Sequence, residues 1–272
     1  MQPTIDIHTH AFSPKIADRV LQQLADTYSI APAGSGLLDD LRRHLDAAGI
    51  DKAVVHNAAT RPAQVMPANN WAIQVQTSRP GLYSFGTIHP EYADWEAELN
   101  RLESYGIHGL KLHADFQGFD LADPRLESVF AALEGRFVVM LHVGNEQPPD
   151  RSPSSPHKVA RIKRKFPDLN LIAAHFGGYL HWPYVVEQYR DLDIYIDTSS
   201  SLDFISQSDL EAIFNTIPRD HICFGSDYPL YRPAETLQQL GSRLNLSDLQ
   251  IKQLLTNANP LLAAWDAHDA ER

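Results

Sequence analysis

Short runs rich in Val, Ile, Leu and Phe recur every few tens of residues, near Ile5, Val54, Phe85, Leu110, Val139, Ile172, Ile194 and Phe224. Each is followed by a stretch of helical period, and strands alternating with helices in this way predict right-handed crossovers and parallel pairing. Eight such units close on themselves, so the expected fold is α/β, a (β/α)8 TIM barrel. That architecture commonly takes about 250 residues as one unit, so residues 1–272 are expected to form a single domain.

The helical stretches carry their own punctuation. Leu37, Leu38, Leu41, Leu45 and Ala48 recur at i, i+3 or i+4 and stop at Gly49. Ser208 with Glu211 and Ser247 with Gln250 have capping-box spacing, and Asp123-Pro124 reads as a cap followed by a first-turn proline. Two segments stand outside the alternation: 115–123 after the fourth strand, and 147–157, with Pro148, Pro149, Pro153 and Pro156, after the fifth. Both fall where a barrel keeps its active-site loops, and they either shape the pocket or make surface turns.

The apolar runs end in polar residues of one chemical kind: His8-Thr9-His10, His142, His175 and Asp227. These side-chain types ligate divalent metals. Alternation along a strand puts His8 and His10 on one face about 7 Å apart, facing inward together with Asp6. A lone His-x-His is weak, since two strand histidines are as readily half-buried and bonded to backbone. Three further ligand types at later strand ends change the balance, because a closed barrel brings those ends to one mouth. His142 shares its parity with Val138 and Met140, so it forms the next inward layer if they fill the interior. His10, His8, His142 and Asp227 plus a water complete one ion, which leaves His175 for proton transfer rather than ligation. Asp227 serves twice, as ligand and as proton acceptor.

Lys111 and His113 share inward parity on the fourth strand, and an ammonium inside a barrel needs a partner or a task. Pairing with Asp227 or Asp6, holding a substrate anion, or carbamylation to bridge two ions would each supply one. Arg61, Arg151 and Arg232 follow strands two, five and eight, where they would grip a substrate carboxylate unless they are simply solvated loop charges. His44, His108, His181, His221 and His268 are expected at the surface.

Composition narrows the partners. Hydrophobic residues make up 43% and charged residues 21%, and no apolar stretch approaches the roughly 20 residues of a membrane span. The first strand begins too early to leave room for a signal segment, and Cys223 is the single cysteine, which suits a reducing cytosol. A cytoplasmic protein with no membrane partner is therefore expected. A net charge of −11 with scattered Lys and Arg argues against nucleic acid. A small-molecule substrate remains as partner, with a homo-oligomer left open.

The strings Ile5-Asp6-Ile7-His8-Thr9-His10, Gly109-Leu110-Lys111-Leu112-His113, Leu141-His142-Val143-Gly144, Ala174-His175-Phe176-Gly177-Gly178 and Phe224-Gly225-Ser226-Asp227-Tyr228-Pro229 together resemble the amidohydrolase superfamily. The resemblance is specifically to its amidohydrolase-related branch of metal-dependent TIM-barrel hydrolases, which also holds non-oxidative decarboxylases such as aminocarboxymuconate semialdehyde decarboxylase. It implies metal ligation by His8, His10, His142 and Asp227 and catalysis by His175. A carbamylated Lys111 would imply two ions instead of one. Zinc-activated water attacking a C–O or C–N bond of a small carboxylated or cyclic substrate is the expected chemistry, with decarboxylation as the alternative and a non-catalytic metal- or ligand-binding barrel as a third reading.

Overall fold

The computed structural model describes residues 2–263, so His268 lies outside the described residues. Its strands are β1 Ile5–His10, β2 Lys52–His56, β3 Leu82–Ser84, β4 Gly109–Leu112, β5 Val138–Leu141, β6 Asn170–Ala173, β7 Tyr195–Asp197 and β8 Ile222–Cys223. All pair in parallel and in chain order. Two seams complete the ring. Gly86 N–H donates to the Gly109 carbonyl (2.9 Å) between β3 and β4, and Ile7 N–H to the Phe224 carbonyl (2.9 Å) between β8 and β1. The barrel expected from the apolar rhythm is the fold of the chain.

The helices are α1 Ala17–Tyr28, α2 Leu38–Ala48, α3 Val65–Ser78, α4 Trp95–Ser104, α5 Ala114–Gln117, α6 Leu126–Leu133, α7 Pro156–Lys165, α8 Trp182–Tyr189, α9 Gln207–Thr216, α10 Pro233–Leu244 and α11 Asp248–Thr256. Alternation along the strands sorts the core into two layers. Ile7, Val54, Phe85, Val138, Met140, Ile172 and Ala174 fill the interior, closed from below by Leu261 and Leu262. Val55, Leu110, Leu112, Val139, Leu141 and Ile196 face the helices. Val138 and Met140 are thus interior, as the parity of His142 required.

Helix ends follow local chemistry with two shifts. Gly49 takes the left-handed conformation that ends α2 (φ 67°), and Ser247 with Gln250 forms a complete capping box. At α9 the cap is Ser206, accepting from Asp209 N–H, instead of Ser208 with Glu211. Ser206 keeps extended backbone, so its hydroxyl faces the free amides of the first turn. Asp123 accepts from Arg125 N–H (2.9 Å) in a turn just ahead of α6, without capping the helix itself.

α1 departs from the strict alternation. It belongs to an excursion between β1 and α2 whose ends are joined by Phe12 N–H to the Gly36 carbonyl (2.8 Å). The same excursion locks onto the chain after β8. Ala33 and Gly34 amides donate to the Pro229 carbonyl (2.7 and 3.0 Å), and a Cβ on Gly34 would stand 2.2 Å from the Tyr228 ring. Asp40 of α2 accepts from the Tyr228 hydroxyl and from Ser35 N–H, each at 2.7 Å, which pins the residue next to Asp227.

Burial opposes ionisation of Asp40, yet those two donors outweigh it and bring its carboxyl down to about 2. A carboxylate depressed in the folded state stabilises above its unfolded pKa, near 4, and that contribution is lost as pH falls toward 2. Asp40→Asn should therefore lower the melting temperature by roughly 2–4 °C at pH 6, on the scale of one net hydrogen bond, with the gap closing by pH 2. Thermal melts of both proteins across that range check this, and a gap independent of pH contradicts it.

Candidate metal centre

The mouth of the barrel begins with a break in pleating. Between β1 and β2, Asp6 pairs with Ala53 but Thr9 with Val55, so β1 carries one extra residue. Ile5 and Ile7 face the interior, and strict alternation would next have turned Thr9 inward. The bulge brings His8 and His10 in instead, a common use of bulges beside active sites. Asp6 Oδ1 accepts His8 N–H (3.2 Å) and Ser226 N–H (3.0 Å), which braces the bulge against the chain following β8. Asp6 therefore buttresses the centre from behind, a correction to its expected place on the ligand face.

Asp227 arrives from the opposite seam. Its N–H donates to the His8 carbonyl (2.8 Å), and it holds the left-handed region (φ 62°), uncommon for a non-glycine residue and found where surrounding structure enforces it. Gly225 permits the approach, since a Cβ there would lie 2.8 Å from His8 Cβ. The result is a tight triangle: His8 Nε2 to His10 Nε2 3.3 Å, His10 Nε2 to Asp227 Oδ1 3.2 Å, and His8 Nε2 to Asp227 Oδ1 3.6 Å.

The ring tautomers follow from the outer contacts. His10 Nδ1 lies 2.9 Å from the His56 carbonyl, which can only accept, so Nδ1 carries the proton. His8 Nδ1 lies 2.7 Å from Asp197 Oδ2, and the Asp197 carboxyl, despite full burial, is held far below the usual range by His8 and by Ser199. In the neutral form of each ring, Nε2 then presents a lone pair to the Asp227 carboxylate. Three acceptors this close repel unless a positive charge sits among them, either an extra proton or a cation. Donors about 2.0–2.1 Å from one ion at tetrahedral corners lie about 3.3–3.4 Å apart, and the observed triangle fits that spacing and the donor chemistry.

The other expected residues gather close by. Lys111 Nζ lies 3.3 Å from His8 Nε2, within ion-pair distance of neither Asp6 nor Asp227, and burial pushes its ammonium down to about 8. His142 and His175 face each other, Nδ1 to Nε2, at 2.9 Å. The second nitrogen of His142 lies 3.1 Å from the Gly144 carbonyl, so His142 stands beside the triangle with both nitrogens occupied. Burial lowers His142 to about 4 and His175 well below its ordinary value, leaving both uncharged near neutrality. His113 stacks on His142, ring centroids 3.7 Å apart, and its Nε2 meets the Tyr28 hydroxyl at 3.3 Å.

Above these groups opens a cavity of about 800 Å³, within the range of small-molecule sites. Arg61 lines it; Arg151 and Arg232 do not, and Arg232 is paired with Glu235 (2.8 Å) in solvent. Phe116 of the 115–123 segment lines it, whereas the proline-rich 147–157 segment packs elsewhere. His181 is buried, its Nε2 2.7 Å from the Gln147 carbonyl, in contrast to the expected surface position. No helix among the described residues is long and apolar enough to cross a membrane.

A family profile described as Amidohydrolase matches residues 5–262, nearly the whole chain and every residue of the centre. The chain belongs to the amidohydrolase family. No curated protein matches it. Three solved structures share its fold. A 5-carboxyvanillate decarboxylase from Novosphingobium aromaticivorans, complexed with manganese, is 18% identical, with a TM-score of 0.71 and 96% of each chain covered. The 2,6-dihydroxybenzoate decarboxylase from Rhizobium is 17% identical, with a TM-score of 0.68 and coverage of 97% of this chain and 99% of that one. A putative 2-pyrone-4,6-dicarboxylic acid hydrolase from Pseudomonas putida is 16% identical, with a TM-score of 0.67 and coverage of 97% and 98%. At these identities the likeness is one of fold, and this amidohydrolase shares it with decarboxylases and a hydrolase alike.

Asp197 and Ser199 escaped the sequence reading although both are wholly buried at the centre. Asp197 ends β7 as the other polar tags end their strands, so the signal was present in Tyr195-Ile196-Asp197. Carboxylates that hold the far nitrogen of a ligand histidine typically govern metal affinity by 10–100-fold. Asp197→Asn should weaken metal binding by about that factor while leaving the barrel folded, as competition with a chromophoric chelator and a circular dichroism melt would show. Unchanged affinity would remove Asp197 from the centre.

Proposed function

We propose that this amidohydrolase is a metal-dependent hydrolase that opens a C–O or C–N bond of a small carboxylated or cyclic substrate. The observation that carries it is the triangle of His8, His10 and Asp227, three close acceptors, two of them buried and His10 half-buried, that a cation would reconcile, beside an uncharged His175. His8, His10 and Asp227 would hold one divalent ion, zinc by donor type, with His142 adjacent. Such an ion supplies an electrophile and lowers the pKa of water toward neutrality.

The remaining work belongs to the chain. Burial opposes the charge on Asp227, and a cation held with His8 and His10 would keep its carboxyl ionised and able to accept a proton. Its second oxygen accepts from the Ser200 hydroxyl, which orients the carboxylate. His175 Nε2 faces His142 Nδ1 at 2.9 Å and its Nδ1 lies 2.9 Å from Ser199 Oγ, so the ring is held beside the centre, where it would pass a proton to the leaving group once one of these contacts opens. Lys111 is placed to hold a substrate carboxylate or carbonyl oxygen.

Decarboxylation is the second reading, favoured by Lys111, whose ammonium beside His8 could secure a departing carboxylate. The two readings separate in one assay, by comparing carbon dioxide released with ring-opened or deacylated product on a panel of lactones, amides and aromatic acids. Elemental analysis should find one ion per chain. Chelation, or His10→Ala, should reduce kcat/KM by at least about a thousandfold, the scale of a lost electrophile worth several kcal/mol, with zinc restoring only the chelated wild type. Full turnover in metal-free protein would overturn the proposal.

A further inference from the structure

α1 is an odd helix for a barrel. Among its twelve residues only Ala17 is buried, so its apolar stripe does not rest on the core as that of a surface helix normally does. The stripe faces the cavity instead. Arg19, Val20, Gln23, Leu24 and Tyr28 all line it, together with Ile16 just ahead of the helix, while Asp18, Gln22 and Asp26 do not. α1 is therefore a wall whose composition changes along its length. Tyr28 reaches His113 at the deep end, Leu24 and Val20 are apolar in the middle, and Arg19, Ile16 and Lys15 follow at the exposed end, the mouth. Nine residues separate Tyr28 from Arg19, about 13 Å along the helix axis.

Arg61 meets the same cavity from the loop after β2, making a third cation at the mouth. The chain carries a net charge of −11, and Arg42, Arg43, Arg79, Arg101, Arg125 and Arg136 all pair with carboxylates. Among the described residues Lys15, Arg19 and Arg61 have no ion pair, and the only carboxylate lining the cavity is Asp227 at its floor. An acidic protein thus keeps three uncompensated cations around one opening, separated from the reacting groups by apolar wall.

We propose that the substrate is elongated, with an apolar body lying along Leu24 and Val20 and a second anionic group, remote from the metal centre, gripped by Arg19, Lys15 and Arg61. This rests on the centre being where the other end of the substrate reacts. The cavity is then sized for a molecule that spans from triangle to mouth, and selectivity comes from α1 more than from the metal ligands.

Titration calorimetry with α,ω-alkanedioates from glutarate to dodecanedioate, each against its own monomethyl ester, tests the span. Short diacids should bind no better than their esters. Diacids long enough to reach the mouth should bind at least about tenfold tighter than theirs, a gain expected of one charge-assisted contact, and the gain should shrink with added salt because the cations are exposed. The gain should vanish in the Arg19→Gln/Arg61→Gln double variant and fall in Lys15→Gln, with unchanged thermal melts showing that both fold. No advantage at any length, or an advantage kept in the double variant, overturns the proposal. Repeating the series on chelator-treated protein separates it from the metal reading. An ester-to-diacid contrast surviving there supports the mouth cations whatever the fate of the metal centre, and its loss there, with metal-loaded protein retaining it, overturns them as an independent subsite.

Discussion

The structure turns on three electron-rich atoms forced together at the floor of a cavity. His8 Nε2, His10 Nε2 and Asp227 Oδ1 lie within 3.6 Å of one another, and each imidazole has its proton committed to the opposite nitrogen. Asp197 and the His56 carbonyl enforce that commitment from behind. Such an arrangement is unfavourable when neutral and becomes favourable once a cation enters, so the surrounding fold stores affinity for positive charge. Lys111, 3.3 Å from His8, is the nearest positive group the chain itself supplies, and its lowered pKa shows how weakly burial tolerates it there.

Holding that triangle takes strain and bracing. His175, Phe176 and Asp227 all occupy left-handed backbone (φ 63°, 50° and 62°), which L-residues with side chains adopt at a cost of order 1–3 kcal/mol each. The bulge in β1 adds an unpaired residue at the same rim. What offsets these costs is interlocking of neighbouring segments. Asp6 ties the bulge to Ser226, the His8 carbonyl receives the Asp227 amide, and Asp40 holds Tyr228 in place. The interior cluster below gives these contacts a rigid floor.

The barrel was legible because eight apolar runs leave little topological choice. Four of its polar strand ends were legible for the same reason, since a parallel barrel delivers strand ends to one mouth. Three features were harder to read. The bulge depends on hydrogen-bond register between β1 and β2, which no spacing rule encodes, so Asp6 was expected on the wrong face. Asp197 closes a strand only three residues long, and an aspartate there reads equally as a turn former. α1 has helical period, but its apolar stripe looks like that of any surface helix, and only the folded barrel brings that stripe to a cavity. Arg151 and Arg232 illustrate the converse: position after a strand is shared by residues that face the mouth and residues that face water.

These distinctions bear on how a shared fold can serve different reactions. The triangle and its imidazoles sit on or just beyond the barrel strands, a barrel the chain shares in outline with decarboxylases and a hydrolase that are under 20% identical to it. A site that chiefly concentrates positive charge can polarise a carbonyl or steady a carboxylate with little change in its own geometry. The choice between them must then come from how long the substrate is, where its charges lie and which bond is brought to the floor. In this chain the excursion between β1 and α2 is the part of the cavity that stands apart from the barrel strands. It carries none of the triangle's ligands, yet it supplies one whole wall of the cavity, places Tyr28 against His113, and sets Lys15 and Arg19 at the entrance.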